Sequence, residues 1–183
     1  MSDAPADRGA APETAPEAIE TERLRGERAT PAHLPEFLRV AEDALAAATL
    51  GGRAPRPVLE ERFARWLREW DEAGFGLWIW RERASGAHVG HAALRRDSRF
   101  GPRDVELGYA LHPDAWARGF ATEAARALVA VAFERLALPE LVAFTLPTNA
   151  GSRRVMEAAG FHYERDIEHA GRTHVLYRRS RGG

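Results

Sequence analysis

Cysteine is missing from the 183-residue sequence, and so is lysine; all 26 basic residues are arginine. Without cysteine there is no disulfide, no thiolate nucleophile and no Cys-ligated zinc. Without lysine there is no P-loop lysine and no Schiff-base amine, and an enzyme that modifies amines has no lysine of its own to modify. No run of about 18 apolar residues occurs, so no helical membrane span is expected. The opening MSDAPADRGAAPETAPE is polar and acidic and lacks a secretory apolar core, so the expected location is the cytoplasm. Large net charge is lacking as well. Residues 1–20 hold five acids against Arg8, a net of −4, so with −1 overall the remainder carries +3. That is too little for a nucleic-acid partner, which demands a strongly basic face, and it suits a domain that binds one anionic cofactor. No G-x-S-x-G surrounds any serine, which argues against a triad hydrolase. His88 and His91 stand on opposite sides of a strand, and no carboxylate pattern completes a site around His169 and His174, so no metal is expected.

What is present fits one domain. A chain of this size buries about 70% of its unfolded surface and needs no staple. Residues 1–19, rich in Ala, Pro, Glu and Asp, are expected to be a disordered tail, with the domain over 20–180. A strand is expected over 21–28, then a helix opened by Thr30 as N-cap and Pro31 at N1. Residues 44–57, with Gly51-Gly52, Pro55 and Pro57, read as a loop or broken helix. Leu59, Phe63, Trp66, Leu67 and Trp70 recur at helical spacing up to Gly74. A hairpin follows, with strands over 77–83 and 88–95 about a Ser85-Gly86 turn. Its first strand sets Trp78 and Trp80 on one face and Leu77 and Ile79 on the other. In Val105–Leu111 the odd positions are bulky, and the even ones are Glu106, Gly108 and Ala110. A helix over 122–136, a strand over 141–146, a short helix capped by Asn149 with Gly160 at C′, and a last hairpin complete the chain. Helices between strands, with antiparallel pairs at both ends, give an α+β (mixed α/β, three-layer) domain.

Residues 105–123 read VELGYALHPDAWARGFATE: strand, tight turn, helix. Gly119 permits positive φ or close approach to a ligand, and Ala121 is small where the helix begins. A helix N-terminus presents about four unpaired N–H groups and roughly half a positive charge. Successive amides in one concavity form an anion nest, and Arg118 adds a planar guanidinium. The set suits a diphosphate; taken alone, the turn is also compatible with an ordinary helix start.

This segment resembles motif A of the GNAT acetyltransferases: Gln or Arg, two residues, Gly, one residue, then Gly or Ala. Gly119 and Ala121 match its small positions. Trp116 stands where Gln or Arg is usual, a departure frequent in the branch that acetylates ribosomal-protein alanine and serine N-termini (RimJ/RimL-like). That branch often reads W-G-x-G-Y-A-T-E-A, against Trp116-Ala117-Arg118-Gly119-Phe120-Ala121-Thr122-Glu123-Ala124 here. Ala117 in place of Gly leaves one amide of the nest less free to turn. Pro147-Thr148-Asn149-Ala150-Gly151-Ser152 followed by Gly160-Phe161 is similar to the branch's N-x-x-S…G-F element. Thr21-Glu22-Arg23-Leu24-Arg25 and Gly74-Phe75-Gly76-Leu77-Trp78 are similar too. The resemblance implies a GNAT fold, a mostly antiparallel sheet with helices on both faces, in which strands 105–111 and 141–146 are parallel and splay apart. It implies acetyl-CoA as co-substrate, with pantetheine paired to the main chain of Leu107, Tyr109 and Leu111. The diphosphate would lie on the amides of Trp116, Ala117, Arg118, Gly119, Phe120, Ala121 and Thr122, with Asn149 and Ser152 beside the thioester.

The implied reaction moves acetyl to a primary amine, of a protein N-terminus or a small molecule, by direct attack in a ternary complex, since no cysteine is available to form an acyl-enzyme. Glu106 is the candidate general base, directly or through a water; the alternative is an ion pair to an arginine. An α-amine titrates near pH 8 and a lysine side chain near 10.4, a gap of about 3.4 kcal/mol in deprotonation, so an α-amine needs less help. By resemblance Ser152 would donate a proton to the departing sulfur; the alternative is helix capping. Asn149 is read as both N-cap and brace for the splayed strands. Residues 44–57 and the last hairpin would shape the acceptor site. No acidic residue falls between Leu45 and Leu59, which speaks against a polycationic acceptor. A monomer or homodimer is expected. The rival reading is a non-catalytic acyl-CoA-binding sensor or interaction module, which needs neither Glu106 nor Ser152.

Overall fold

A computed structural model describes residues 14–101 and 104–182. Eight strands form one sheet in the order β1-β2-β3-β4-β5-β6-β8-β7. They are β1 (Ala18–Glu20), β2 (Leu24–Arg28), β3 (Leu77–Glu82), β4 (His88–Arg96), β5 (Val105–Leu111), β6 (Glu140–Thr145), β7 (His162–His169) and β8 (Arg172–Ser180). Every neighbouring pair is antiparallel except β5 and β6, which are parallel and meet in register only at Glu106↔Val142. Beyond that pair the two strands diverge and leave a V-shaped opening.

The helices are α1 (Leu34–Ala41), α2 (Ala44–Thr49), α3 (Arg56–Ala73), α4 (Phe120–Ala130) and α5 (Ala150–Ala158). They divide between the two faces because β3 is apolar on both. Trp78 and Trp80 join Leu107, Leu128 and Met156 in the core beneath α4 and α5. Leu77 and Ile79, one residue out of phase, join Phe37, Leu59, Phe63 and Trp66 in the core beneath α1 and α3. The period-two alternation of a strand thus feeds two cores, and the layers are helix, sheet, helix. α3 ends where Gly74 adopts φ 76° and offers its amide to Trp70 O, as a C-terminal glycine does.

Two local details differ from the sequence expectation, and one alternative left open there is decided. Residues 14–19 belong to the ordered structure: Ala15 N donates to Gly74 O at 2.7 Å, Trp78 Nε1 donates to Pro16 O at 3.0 Å, and Ile19 pairs with Gly26. The physical reason is that β1 covers what would otherwise be an open β2 edge while burying Ala15 and Ile19. The remainder of the expected tail, 1–13, lies outside the described residues. Within 44–57, α2 forms because Asp43 caps it, accepting from the amides of Leu45 and Ala46 at 2.9 Å. The helix expected from Thr122 begins two residues earlier, at Phe120, and passes into a π-turn over Val131–Arg135.

Candidate active site

The divergence of β5 from β6 opens a cleft of about 1530 Å³ that runs through the sheet and is lined from both helical layers. On its α4 side, the edge of β5 is bare. His112 N donates to Val89 O at 3.0 Å. Antiparallel alternation then gives the main-chain groups of residues 106, 108 and 110 to β4 and turns those of Leu107, Tyr109 and Leu111 toward β6. The Glu106↔Val142 pair takes the Leu107 N–H, and past it no strand meets the rest. One of these groups is already engaged, since Trp116 Nε1 donates to Leu111 O at 2.8 Å.

The turn after β5 makes the nest. Ala117 holds φ 57° and Gly119 φ 80°, so successive amides curl toward one side before α4 starts. The first helical bond runs from Glu123 N to Gly119 O at 3.1 Å, which leaves the amides of Phe120, Ala121 and Thr122 without intrahelical partners. Glu123 does not compete for them. Its carboxylate takes the Thr21 hydroxyl at 2.6 Å, the Arg23 amide at 2.8 Å and the Arg23 guanidinium at 2.7 Å, tying the β1–β2 turn to α4. Burial acts to raise the Glu123 pKa, but these contacts outweigh it and hold the carboxyl below its ordinary value. Trp116, Ala117, Gly119, Phe120, Ala121 and Thr122 line the cleft. Arg118 does not: its guanidinium is bound by Glu82 and lies 4.4 Å from the Phe120 ring centroid. The Arg118 side chain, expected from sequence to face a phosphate, is turned to an acidic partner two strands away in this structure.

At the centre of the V, Asn149 caps α5 by accepting from Ser152 N at 3.0 Å, and its Nδ2 donates to Thr49 O at 3.3 Å. The Ser152 hydroxyl lies 3.0 Å from the Tyr109 hydroxyl, which also reaches Ser152 O at 3.1 Å. Tyr109 on β5 thus bridges the opening to α5. Burial pushes its phenol well above the usual range, with the Ser152 contact opposing, so it stays protonated.

On the α1/α3 side, Glu106 is 4% exposed and shares its face with Gly108 and Ala110. Register sets Arg95 of β4 directly opposite, and its guanidinium bonds Glu106 Oε1. The other oxygen, Oε2, is buried with no hydrogen-bond partner, 3.9 Å from Arg99 Nη2. Arg99 is held mainly by Asp97. Burial raises the Glu106 pKa, the Arg95 charge opposes it, and Asp97 adds to the rise. Arg95 also stacks 4.7 Å over the Trp66 ring. Above Glu106 stand His91, Phe37 and Trp66, the His91 ring 4.9 Å from that of Phe37. Burial drives the His91 pKa down to about 3, so this imidazole is neutral. Gly108 keeps the floor open: a β-carbon there would meet Arg95 Nη2 at 3.2 Å and Glu106 Oε1 at 3.4 Å.

Glu106, Ser152, Tyr109 and the 116–122 turn therefore come together around one cleft. Arg95, Asp97 and Arg99 were not singled out from sequence; His91 entered only as a rejected metal ligand and Trp66 only as part of an apolar helix face. Only the β4–β5 register reveals the Arg95–Glu106 pair, and no short motif encodes it. Among the described residues no group of three or more His, Cys, Asp or Glu side chains is arranged to hold a metal, and no helix is long and apolar enough to cross a membrane.

The chain is similar to several known proteins. It is 30% identical over 123 residues to the uncharacterized protein YkkB of Bacillus subtilis, covering 63% of this chain and 72% of that one. It is 36% identical over 93 residues to FsC-acetyl coenzyme A-N(2)-transacetylase of Aspergillus fumigatus, covering 48% of this chain and 39% of the relative. A GNAT-family acetyltransferase structure from Bordetella pertussis superposes with a TM-score of 0.78 at 25% identity, over 90% of this chain and 100% of that one. An acetyltransferase from Agrobacterium tumefaciens gives 0.78 at 27%, over 94% and 98%. At 15% identity and a TM-score of 0.75, over 90% and 98%, the fold is also that of RimL, a ribosomal L7/L12 α-N-protein acetyltransferase solved in complex with coenzyme A. Residues 23–162 match the acetyltransferase (GNAT) domain over most of the chain, and the protein belongs to that acetyltransferase family.

Proposed function

We propose that this protein transfers acetyl from acetyl-CoA to a primary amine by direct attack, with Glu106 taking the amine's proton and Ser152 supplying one to the departing sulfur. The observation that carries this reading is the single-pair contact of β5 with β6, which leaves a bare strand edge ending in a turn of unpaired amides. The C=O of Leu107, both main-chain groups of Tyr109 and the N–H of Leu111 suit the amide-bearing pantetheine arm. The amides of Ala117 and of residues 119–122 suit a diphosphate, and the cleft has room for the whole molecule. Acetyl-CoA supplies an activated thioester; the chain has to bind it, orient it and manage protons.

Glu106 serves as base through Oε2, since Oε1 is committed to Arg95. A buried carboxylate with a raised pKa is a stronger base than an exposed one, and the charges of Arg95 and Arg99 oppose that rise. Ser152 is set by two contacts: its amide by Asn149 Oδ1, its hydroxyl by Tyr109. A Tyr109 phenol that does not ionise keeps its hydrogen bond to the Ser152 hydroxyl and orients it toward the sulfur. Membership of the ribosomal-protein branch and a cytoplasmic location belong to the same reading; the RimL-type fold and the Trp116-to-Ala124 sequence support the first.

The test is release of free thiol on mixing protein, acetyl-CoA and a panel of amines that includes peptides with free Ser and Ala N-termini, beside calorimetric titration with acetyl-CoA. Turnover with at least one amine and intersecting initial-rate patterns are expected. Parallel (ping-pong) patterns would defeat direct transfer. Saturable binding with no turnover across the panel would favour a sensor of acyl-CoA.

A further inference from the structure

Six arginines line the cleft, Arg62, Arg65, Arg95, Arg96, Arg99 and Arg154, against three carboxylates, Glu69, Asp97 and Glu106. Two of the carboxylates are paired with arginines, and the third, Glu69, feels the charges of Arg95 and Arg65 without an ion pair. Asp97 holds Arg99, Glu106 holds Arg95, and Glu69 accepts the Arg96 main-chain amide at 3.2 Å. Among the described residues Arg62 and Arg65 have no carboxylate within ion-pair distance. Both project from α3, one helical turn apart, on the stripe that also carries Trp66 and Glu69.

Arg62 is half-buried, an unfavourable place for a cation, and Arg65 stands exposed beside it at the rim. Burial, then the charge of Arg95, then that of Arg65 all act to lower the Arg62 pKa. Two buried donors nearby also lack an acceptor, Trp66 Nε1 and Arg95 Nε. Unmatched donors and crowded positive charge at one end of a cleft need an anion to balance them. The phosphates of coenzyme A do not answer. Their nest opens α4, which packs on the Trp78/Trp80 face of the sheet, whereas α3 packs on the Leu77/Ile79 face. Arg154, on α5, is the cleft arginine left on the coenzyme side. Arg62 and Arg65 stand on the other side, lining the same cleft as Glu106.

We infer that the acceptor is an anionic primary amine: its carboxylate is held by Arg62 and Arg65 on α3 while its amine meets Glu106. This rests on the acetyl-transfer reading above and adds the substrate class. Neutral His91 and the apolar Phe37 and Ala93 leave room beside the anion for a short uncharged side chain, and a polyamine is repelled. The carboxylate belongs either to a free amino acid or to an acidic residue next to a peptide N-terminus.

The experiment compares kcat/KM, per unprotonated amine and at saturating acetyl-CoA, for matched acid and amide acceptors. One pair is Ala-Glu-Gly-amide and Ala-Gln-Gly-amide; the other is alanine and alaninamide. A preference of about tenfold or more for the acid is expected in one pair, and that pair identifies the source of the carboxylate. Arg62→Gln and Arg65→Gln should each cut the acid-to-amide ratio about fivefold, chiefly by raising KM for the acid. Two results overturn the inference and leave acetyl transfer standing: equal use of acid and amide in both pairs, or acid and amide rates that fall by the same factor in both variants. Binding of acetyl-CoA by calorimetry with no thiol release from any amine defeats the acetyl-transfer reading itself, and the substrate class with it.

Discussion

Ala117 holds φ 57° at the mouth of the amide nest, where its β-carbon crowds its own carbonyl and costs roughly 1–2 kcal/mol. Glycine would remove that strain but gains unfolded-state freedom of about 0.5–1 kcal/mol. Ala117→Gly is therefore expected to stabilise the protein by about 0.5–1 kcal/mol, read from the midpoint of urea unfolding; a lower midpoint would show that the turn carries no strain at this residue. The other decisive side chain is Glu106. Burial raises its pKa and Arg95 opposes the rise. Because only the ionised form accepts a proton, activity falls as pH drops through that raised value, so the acid limb of kcat lies above the ordinary carboxylate range. Glu106→Gln should lower kcat about a hundredfold at pH 7, remove that limb, and close part of the gap by pH 9, where more of an α-amine is already free. A variant that keeps most of its kcat at pH 7, with unchanged acetyl-CoA affinity, would reduce Glu106 to the ion-pair role that its contact with Arg95 also permits.

At the scale of elements, α5 matters beyond its nine residues, because its cap belongs to the site. Asn149 uses one atom to cap the helix and another to hold Thr49 at the end of α2. Asn149→Ala should cost about 1 kcal/mol. Asn149→Asp keeps the capping oxygen and should restore most of that stability in a thermal melt. It cannot donate to Thr49 O, so KM for the acceptor should stay raised about twofold or more, since α2 lines the acceptor end of the cleft. If Asp restores both, the Thr49 tie is without consequence. Asn149 illustrates what the sequence makes legible: a capping residue three positions before a serine and a glycine past the last turn mark α5 without any tertiary knowledge. The same holds for α3, whose Leu59–Trp70 spacing is periodic, and for β3, whose alternating Trp78/Trp80 and Leu77/Ile79 faces feed two separate cores. The misses share one cause. β1 is only three residues long, too short for a period to show, and the segment before it is anchored by the Trp78 indole, 62 residues from Pro16. The Glu82 that captures Arg118 lies 36 residues away. The Arg95–Glu106 pair depends on strand register, which composition does not encode. Local patterns specify elements, and pairings between elements decide which charges remain free for a ligand.

For the molecule as a whole, the sheet is one sheet only by a narrow join. Strands β1 to β5 form one half and β6, β8 and β7 the other, with Glu106↔Val142 as the register pair between them. Side chains and helices reinforce the join: Tyr109 reaches Ser152, Arg178 reaches Asp104 at 3.0 Å, and Arg126 on α4 donates to Ala158 O on α5 at 2.9 Å. A ligand filling the V would supply the main-chain partners that β5 lacks and would grip both halves, so binding and global stability are coupled. At a hundred times its Kd, acetyl-CoA should add about 2.7 kcal/mol, which for a chain of this size corresponds to roughly 5–10 °C in Tm. Acetyl-pantetheine fills the same strand edge but brings no diphosphate to the amides of residues 117–122. At the same concentration it should shift Tm by much less, while still slowing exchange of the Tyr109 and Leu111 amide protons. If the two compounds stabilise equally, the turn before α4 contributes no binding energy and the unpaired N–H groups there are only the ordinary start of a helix. If acetyl-CoA shifts Tm but leaves the Tyr109 amide exchanging freely, the ligand binds outside the V, and the separation of β5 from β6 serves packing instead of catalysis.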